Sequence, residues 1–119
     1  MAVVDIIKAL AHENRLRILN LLKKRALCVC EIRNIMNINQ SNASRHLAKL
    51  KQVNLLDYNK EGQWVYYYIN KTKIEKHPFI NKILNEELAE EQFEIDLEKL
   101  ELYQKSEIGC DNLDESEIF

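Results

Sequence analysis

Cys28 and Cys30 flank Val29, and Glu31 follows directly, so two thiols and a carboxylate fall within four consecutive residues. Thiolates are soft ligands suited to As(III), Sb(III), Cd(II), Pb(II), Zn(II) and Cu(I). The same side chains also serve as small buried hydrophobes, or as a redox-active pair. A third thiol, Cys110, stands far downstream beside Gly109.

The pattern around Leu27–Ile32 predicts a short helix over residues 29–36, with Ile32, Ile35 and Met36 facing inward. The cysteines then fall in its first turn, where a helix N-terminus lowers thiol pKa. Residues two apart on an α-helix point about 200° apart around the axis. Cys28 and Cys30 are therefore expected not to grip one ion while that turn stays regular. Binding is expected to distort the start of the helix.

The rest of the chain must position these groups. At 119 residues, one domain with a tail is expected. Two Gly and one Pro point to a mostly helical chain. The net charge of −2 conceals an asymmetry. Residues 1–85 hold 15 Lys/Arg against 6 Asp/Glu, whereas residues 86–119 hold 2 against 13. A basic body suits a polyanion such as nucleic acid, and an acidic tail is expected to point away from it. Asp5 and Lys8 interrupt the apolar N-terminal residues, unlike a signal peptide. No apolar run approaches the ~20 residues that span a bilayer. The expected location is the cytoplasm, where thiols stay reduced and close Cys pairs read as metal-binding or redox-active.

Val3, Val4, Ile6, Ile7 and Leu10 give a first helix over residues 2–11, apolar on more than one side, for which a second subunit is a natural cover. A second helix is expected over Glu13–Arg25, striped by Leu16, Ile18, Leu19 and Leu22 and capped by His12 or Asn14. Asn37-Ile38-Asn39-Gln40 reads as a turn carrying the caps of the next helix, Ser41–Val53. Ala43, Leu47 and Leu50 should pack inward there. Gln40, Ser41, Asn42, Ser44, Arg45, His46 and Lys49 are left for the outer face, with no Asp or Glu among them. A solvated helix face usually mixes both signs, so this bias favours contact with phosphates and base edges.

The period then changes. Residues 55–59 and 63–69 are rich in aromatic and β-branched residues, and Asn59-Lys60-Glu61-Gly62 lies between them. This predicts a two-stranded hairpin with Lys60 near its tip, placed to touch a phosphate. Trp64, Tyr66, Tyr67 and Tyr68 are read as packing residues. Pro78 opens a further helical region with Phe79, Ile80, Ile83, Leu84 and Leu88. A second periodic run, Phe93, Leu97, Leu100 and Tyr103, reads either as its continuation or as a separate helix. Residues 106–119 lack periodicity and are expected to be mobile apart from Gly109-Cys110. The order of elements is that of a winged helix-turn-helix, mainly α with a β-hairpin wing: residues 1–88 for DNA binding and dimerisation, residues 89–119 for an acidic helix and tail.

Three blocks carry a resemblance. Ala9–Leu19, Leu27–Ile32 and Gln40–Leu47, in this order and spacing, resemble the ArsR–SmtB repressors over about residues 2–88. Those are dimeric winged-helix proteins that leave DNA on binding a metal or metalloid. The Cys-Val-Cys before an acidic residue resembles the inducer box of the arsenic- and cadmium-sensing branches. Some arsenic repressors carry another Cys at the position of Arg33, which leaves Cys110 as the available third ligand or leaves that place empty. The family's other metal site, on the last helix, is not expected, because His77 is the sole His after His46. The cadmium branch draws further cysteines from an N-terminal extension, and none precedes Cys28, which tilts the expectation toward arsenite.

The expected function is a homodimeric repressor of double-stranded operator DNA, joined through its first and last helices. Arsenite or antimonite, As(III)/Sb(III), would release it by binding at Cys28, Cys30 and Cys110, with Cd(II)/Pb(II) as further inducers and no organic cofactor or membrane. A thiol-redox-responsive repressor is the alternative. A small thiol oxidoreductase ranks last, since Cys28 and Cys30 lack C-x-x-C spacing and a nearby base.

Overall fold

Leucine and isoleucine at helical spacing build the helices, and their shared apolar side decides how these pack. The computed structural model describes residues 2–119; Met1 lies outside the described residues. The elements are α1 (Ala2–Leu10), α2 (Glu13–Leu22), β1 (Leu27–Cys28), α3 (Val29–Met36), α4 (Gln40–Gln52), β2 (Leu56–Glu61), β3 (Trp64–Ile69), α5 (Lys71–Lys76), α6 (Pro78–Lys82), a π-helical turn (Ile83–Glu87), α7 (Glu91–Lys105) and α8 (Cys110–Leu113). This is a winged helix-turn-helix extended by two C-terminal helices. No helix among the described residues is long and apolar enough to cross a membrane.

The helix-turn-helix is set by two asparagines. Asn37 closes α3 in the left-handed region at φ 55°, which Asn tolerates better than most side chains. Asn39 then caps α4, its Oδ1 accepting from the Asn42 N–H at 2.8 Å. Ile18, Leu19, Leu21, Ile32, Ile35, Leu47 and Leu50 fill the space between α2, α3 and α4 and are fully buried. Each such side chain contributes roughly 1.5–3 kcal/mol over its exposed state. The second helix ends at Leu22, three residues short of the expected Arg25, because the chain must become extended to enter β1.

The wing is a three-stranded antiparallel sheet in the order β1-β3-β2. The hairpin strands reach Glu61 and Trp64, and the turn is Gly62-Gln63, with Gly62 at φ 61°. Strand β1 was not anticipated, since two residues carry no readable period. It pairs Leu27 with Tyr67 and Cys28 with Tyr66.

Helix α7 is separate from the preceding helical run and lies across α2 and α3. The expectation of a mobile end after residue 105 is corrected. Leu113 is 1 % exposed, and Ile108 and Ile118 pack against the same core. These apolar residues recur every five positions, which matches neither helix nor strand, so periodicity hid them.

Candidate thiol site and nucleic-acid interface

Cys28 ends β1 and is the N-cap of α3, with extended backbone at φ −88° and ψ 169°. It therefore lies outside the regular helix, and the expectation that both cysteines share a helical turn is corrected. Its Sγ lies 2.9 Å from the Sγ of Cys110, the first residue of α8. The Cys28 N–H donates to Glu31 Oε1 at 2.9 Å, and the other Glu31 oxygen accepts from the Tyr103 hydroxyl at 2.5 Å. Glu31 is 2 % exposed. Donor atoms of Cys28, Glu31 and Cys110 all lie within 4.8 Å of one another.

Cys30 stands beside this group rather than in it. Its thiol lies 3.7 Å from the Cys110 carbonyl and 3.7 Å from Asp114 Oδ1. Cys28 and Cys30 thus do not converge on one point, as their spacing implied, and the close pair is Cys28 with Cys110, brought together by tertiary packing.

Thiol acidity is also the reverse of the expectation. Burial pushes the Cys28 thiol well above its ordinary range, helped by the Cys110 hydrogen bond and the Glu31 charge. Burial and the nearby Asp114 raise Cys30 to about 11. Desolvation opposes the charged form and outweighs the helix N-terminus here. Tyr66 is raised to about 12 by burial and by the nearby Cys110. Tyr103 is raised by burial and by its bond to Glu31.

Two buried or nearly buried thiols and a carboxylate form a donor set that fits a thiophilic cation. Glu31 had no assigned role in the sequence reading. An acidic residue three positions after a helix cap is a capping-box pattern, and that signal marks it.

The candidate nucleic-acid face lies on α4. Gln40, Ser41, Ser44, Arg45 and Lys49 are exposed, and Asn42 is half-buried, accepting from Arg45 Nη2 at 3.0 Å. Lys60 is exposed near the end of β2. His46 does not face outward. It is 2 % exposed, accepts from Arg15 Nε at 3.2 Å on Nδ1, and lies against the His12 ring at a centroid distance of 4.4 Å. Burial, then the charges of His12, Arg15 and Arg45, lowers its pKa to about 4. Three residues after Ala43 and one before Leu47, it shares their inward stripe. His12 itself caps α2, accepting from the Asn14 N–H at 3.3 Å.

Residues 12–58 match the family model described as bacterial regulatory protein, arsR family. The cadmium resistance transcriptional regulatory protein CadC of Listeria innocua is 43% identical over 68 residues, 56% of this chain and 57% of that protein. The chain thus spans a little over half the length of that relative. The arsenical resistance operon repressor of Bacillus subtilis is 37% identical over 83 residues, covering 69% of this chain and 73% of the relative. Among solved structures, the homodimeric winged helix-turn-helix DNA-binding domain of a possible ArsR-family regulator from Mycobacterium bovis is similar with a TM-score of 0.63 at 31% identity. That likeness covers 73% of this chain and 82% of the other. With the fold, the turn and the three sequence blocks in agreement, the chain belongs to the arsR family of bacterial regulatory proteins.

Proposed function

We propose that this protein is a homodimeric transcriptional repressor that leaves its operator when a thiophilic ion binds at Cys28 and Cys110, with Cys30 and Glu31 beside them. The observation that carries this is the meeting of Cys28 and Cys110 at the start of α3. Helix α3 packs directly on α4, and β1 is hydrogen-bonded to β3 of the wing at Cys28 and Tyr66. A change at Cys28 therefore reaches both elements that would touch DNA. Allosteric coupling of this kind typically amounts to about 1–3 kcal/mol.

On α4, Gln40, Ser41, Asn42, Ser44, Arg45 and Lys49 would contact phosphates and base edges, and Lys60 would contact a phosphate from the wing. His46 is retained as a support for Arg15. The second subunit would cover Val3, Val4 and Ile7, which are 36%, 39% and 51% exposed on one face of α1. The relatives named for arsenical and cadmium resistance support a soft ion as inducer, arsenite or antimonite first, cadmium or lead next. Such an ion supplies strong thiolate bonds, and Cys28 and Cys110 must give up their protons to form them.

The 2.9 Å approach of the two sulfurs also favours a second reading, a redox switch. Two thiols would lose two protons and two electrons to a peroxide or disulfide oxidant and form one S–S bond. The test is DNA release. Fragments bound from a random pool are titrated with arsenite, cadmium or peroxide. Release by the ions under reductant supports the first reading, and release by peroxide alone supports the second. Retention under all three contradicts both.

A further inference from the structure

We propose that Arg33 and Asn34 are positioning residues: through Asp114 they hold α8 against α3 and so deliver Cys110 to Cys28. This rests on the reading of the two thiols as a ligand site. Asn34 Nδ2 donates to Asp114 Oδ1 at 2.8 Å, and Arg33 Nη2 forms an ion pair with the same oxygen. Asn34 Nδ2 also donates to the Cys30 carbonyl at 2.8 Å, which fixes the amide.

The helical periods explain the fit. On α3, Cys30, Arg33 and Asn34 stand at i, i+3 and i+4 and share one side. Cys110 and Asp114 stand at i and i+4 across α8 and share one side as well. The two sides face each other, so fixing Asp114 sets the rotation of α8 and with it the direction of the Cys110 sulfur.

The other contacts are longer or apolar: the Cys30 thiol lies 3.7 Å from the Cys110 carbonyl and from Asp114 Oδ1, and Ile108 and Ile118 pack on the core. Leu113 anchors α8 in the core, but an apolar contact is not directional. The approach to α8 runs through Glu107 at φ 64° and through Gly109, with Ser106 accepting and donating locally. Gln63 Nε2 reaches Asp111 at 3.5 Å, the limit of a hydrogen bond.

The test is the alkylation rate of Cys110 by N-ethylmaleimide in the reduced full-length protein without metal, read by peptide mass. Asp114→Ala and Arg33→Glu should raise that rate roughly three- to tenfold, and Arg33→Lys should stay near wild type. Thermal midpoints should be nearly unchanged in all three, which separates positioning from loss of fold. Wild-type alkylation in both Asp114→Ala and Arg33→Glu overturns the proposal. A parallel titration with Cd(II) alone keeps the two readings apart. Weaker binding in Asp114→Ala, with no further loss when Asp114→Ala is added to Cys110→Ser, supports the proposal on its function as well. If alkylation rises but Cd(II) binds equally to wild type and Cys110→Ser, the ligand-site reading fails and the positioning role stands.

Discussion

The two C-terminal helices are held to the same body by opposite means. Helix α7 is clamped by a buried ion pair: Arg17 Nε and Nη2 donate to the two oxygens of Asp96 at 2.7 and 2.9 Å, and Asp96 is 0% exposed. Gln92 Nε2 adds 2.8 Å to Asp96, Arg17 also donates to the Met36 carbonyl, and Asn20 donates to the Phe93 carbonyl. Helix α8 is held by Leu113 and by an Asp114 whose side chain is half exposed. A buried pair is expensive to break, because removing one partner strands the other charge, whereas an exposed one yields readily. The fixed helix carries Tyr103, which orients Glu31. The releasable one carries Cys110. The proposed ligand site would thus draw Glu31 from beside a firmly held helix and Cys110 from a more weakly held one.

Breaking the clamp is the largest expected effect. Arg17→Ala should destabilise the fold by about 3–5 kcal/mol in urea unfolding, and Asp96→Ala by a similar amount. The double substitution Arg17→Met with Asp96→Leu should recover much of that loss, because neither charge is then stranded. A small effect of Arg17→Ala would remove the contrast between the helices.

Tyr103→Phe comes next. It takes one of two hydrogen bonds from a buried carboxylate, and about 1–3 kcal/mol should be lost. Asp114→Ala should cost less than about 1 kcal/mol in the same assay, as expected of an exposed pair.

The pH response sharpens the picture beneath the candidate nucleic-acid face. His46 has a folded-state pKa of about 4 against an ordinary 6.5, so the unfolded chain takes up the proton first. Its contribution to stability is complete above pH 6.5 and is lost as pH falls toward about 4. His46→Gln should flatten the unfolding free energy across that window, and an unchanged slope would contradict the buried, neutral imidazole. Smallest in scale is a labelling difference. Cys28, raised furthest above its ordinary range by burial, should react with iodoacetamide at pH 8 more slowly than Cys30 in the native protein, and the difference should vanish on unfolding.

Much of the frame was legible in the residues. The inward stripes of α2, α3 and α4, the paired asparagines of the turn and the aromatic hairpin all follow from local period and capping. His46 was misread because an imidazole among polar residues looks exposed, although its spacing from Ala43 and Leu47 places it inward. The thiols of the candidate site were legible, but their pairing and the place of Glu31 beside them were not. Irregularly spaced Ile108, Leu113 and Ile118 bring the end of the chain back onto the core, and Cys110 reaches Cys28 through that return. Burial then reversed the expected acidity of the thiols, a tertiary effect that no local pattern carries. Arg33, read as a missing third cysteine, is paired with Asp114 on the helix that brings Cys110 in.

The most direct test is an ultraviolet titration of the reduced protein with arsenite and with Cd(II), following the sulfur-to-metal absorbance in wild type, Cys28→Ser, Cys30→Ser and Cys110→Ser. The expected result is a band in wild type that is lost in Cys28→Ser, strongly weakened in Cys110→Ser and less affected in Cys30→Ser. A band of full strength and affinity in Cys110→Ser, or no band with either ion in wild type, would contradict a ligand site shared between the start of α3 and α8.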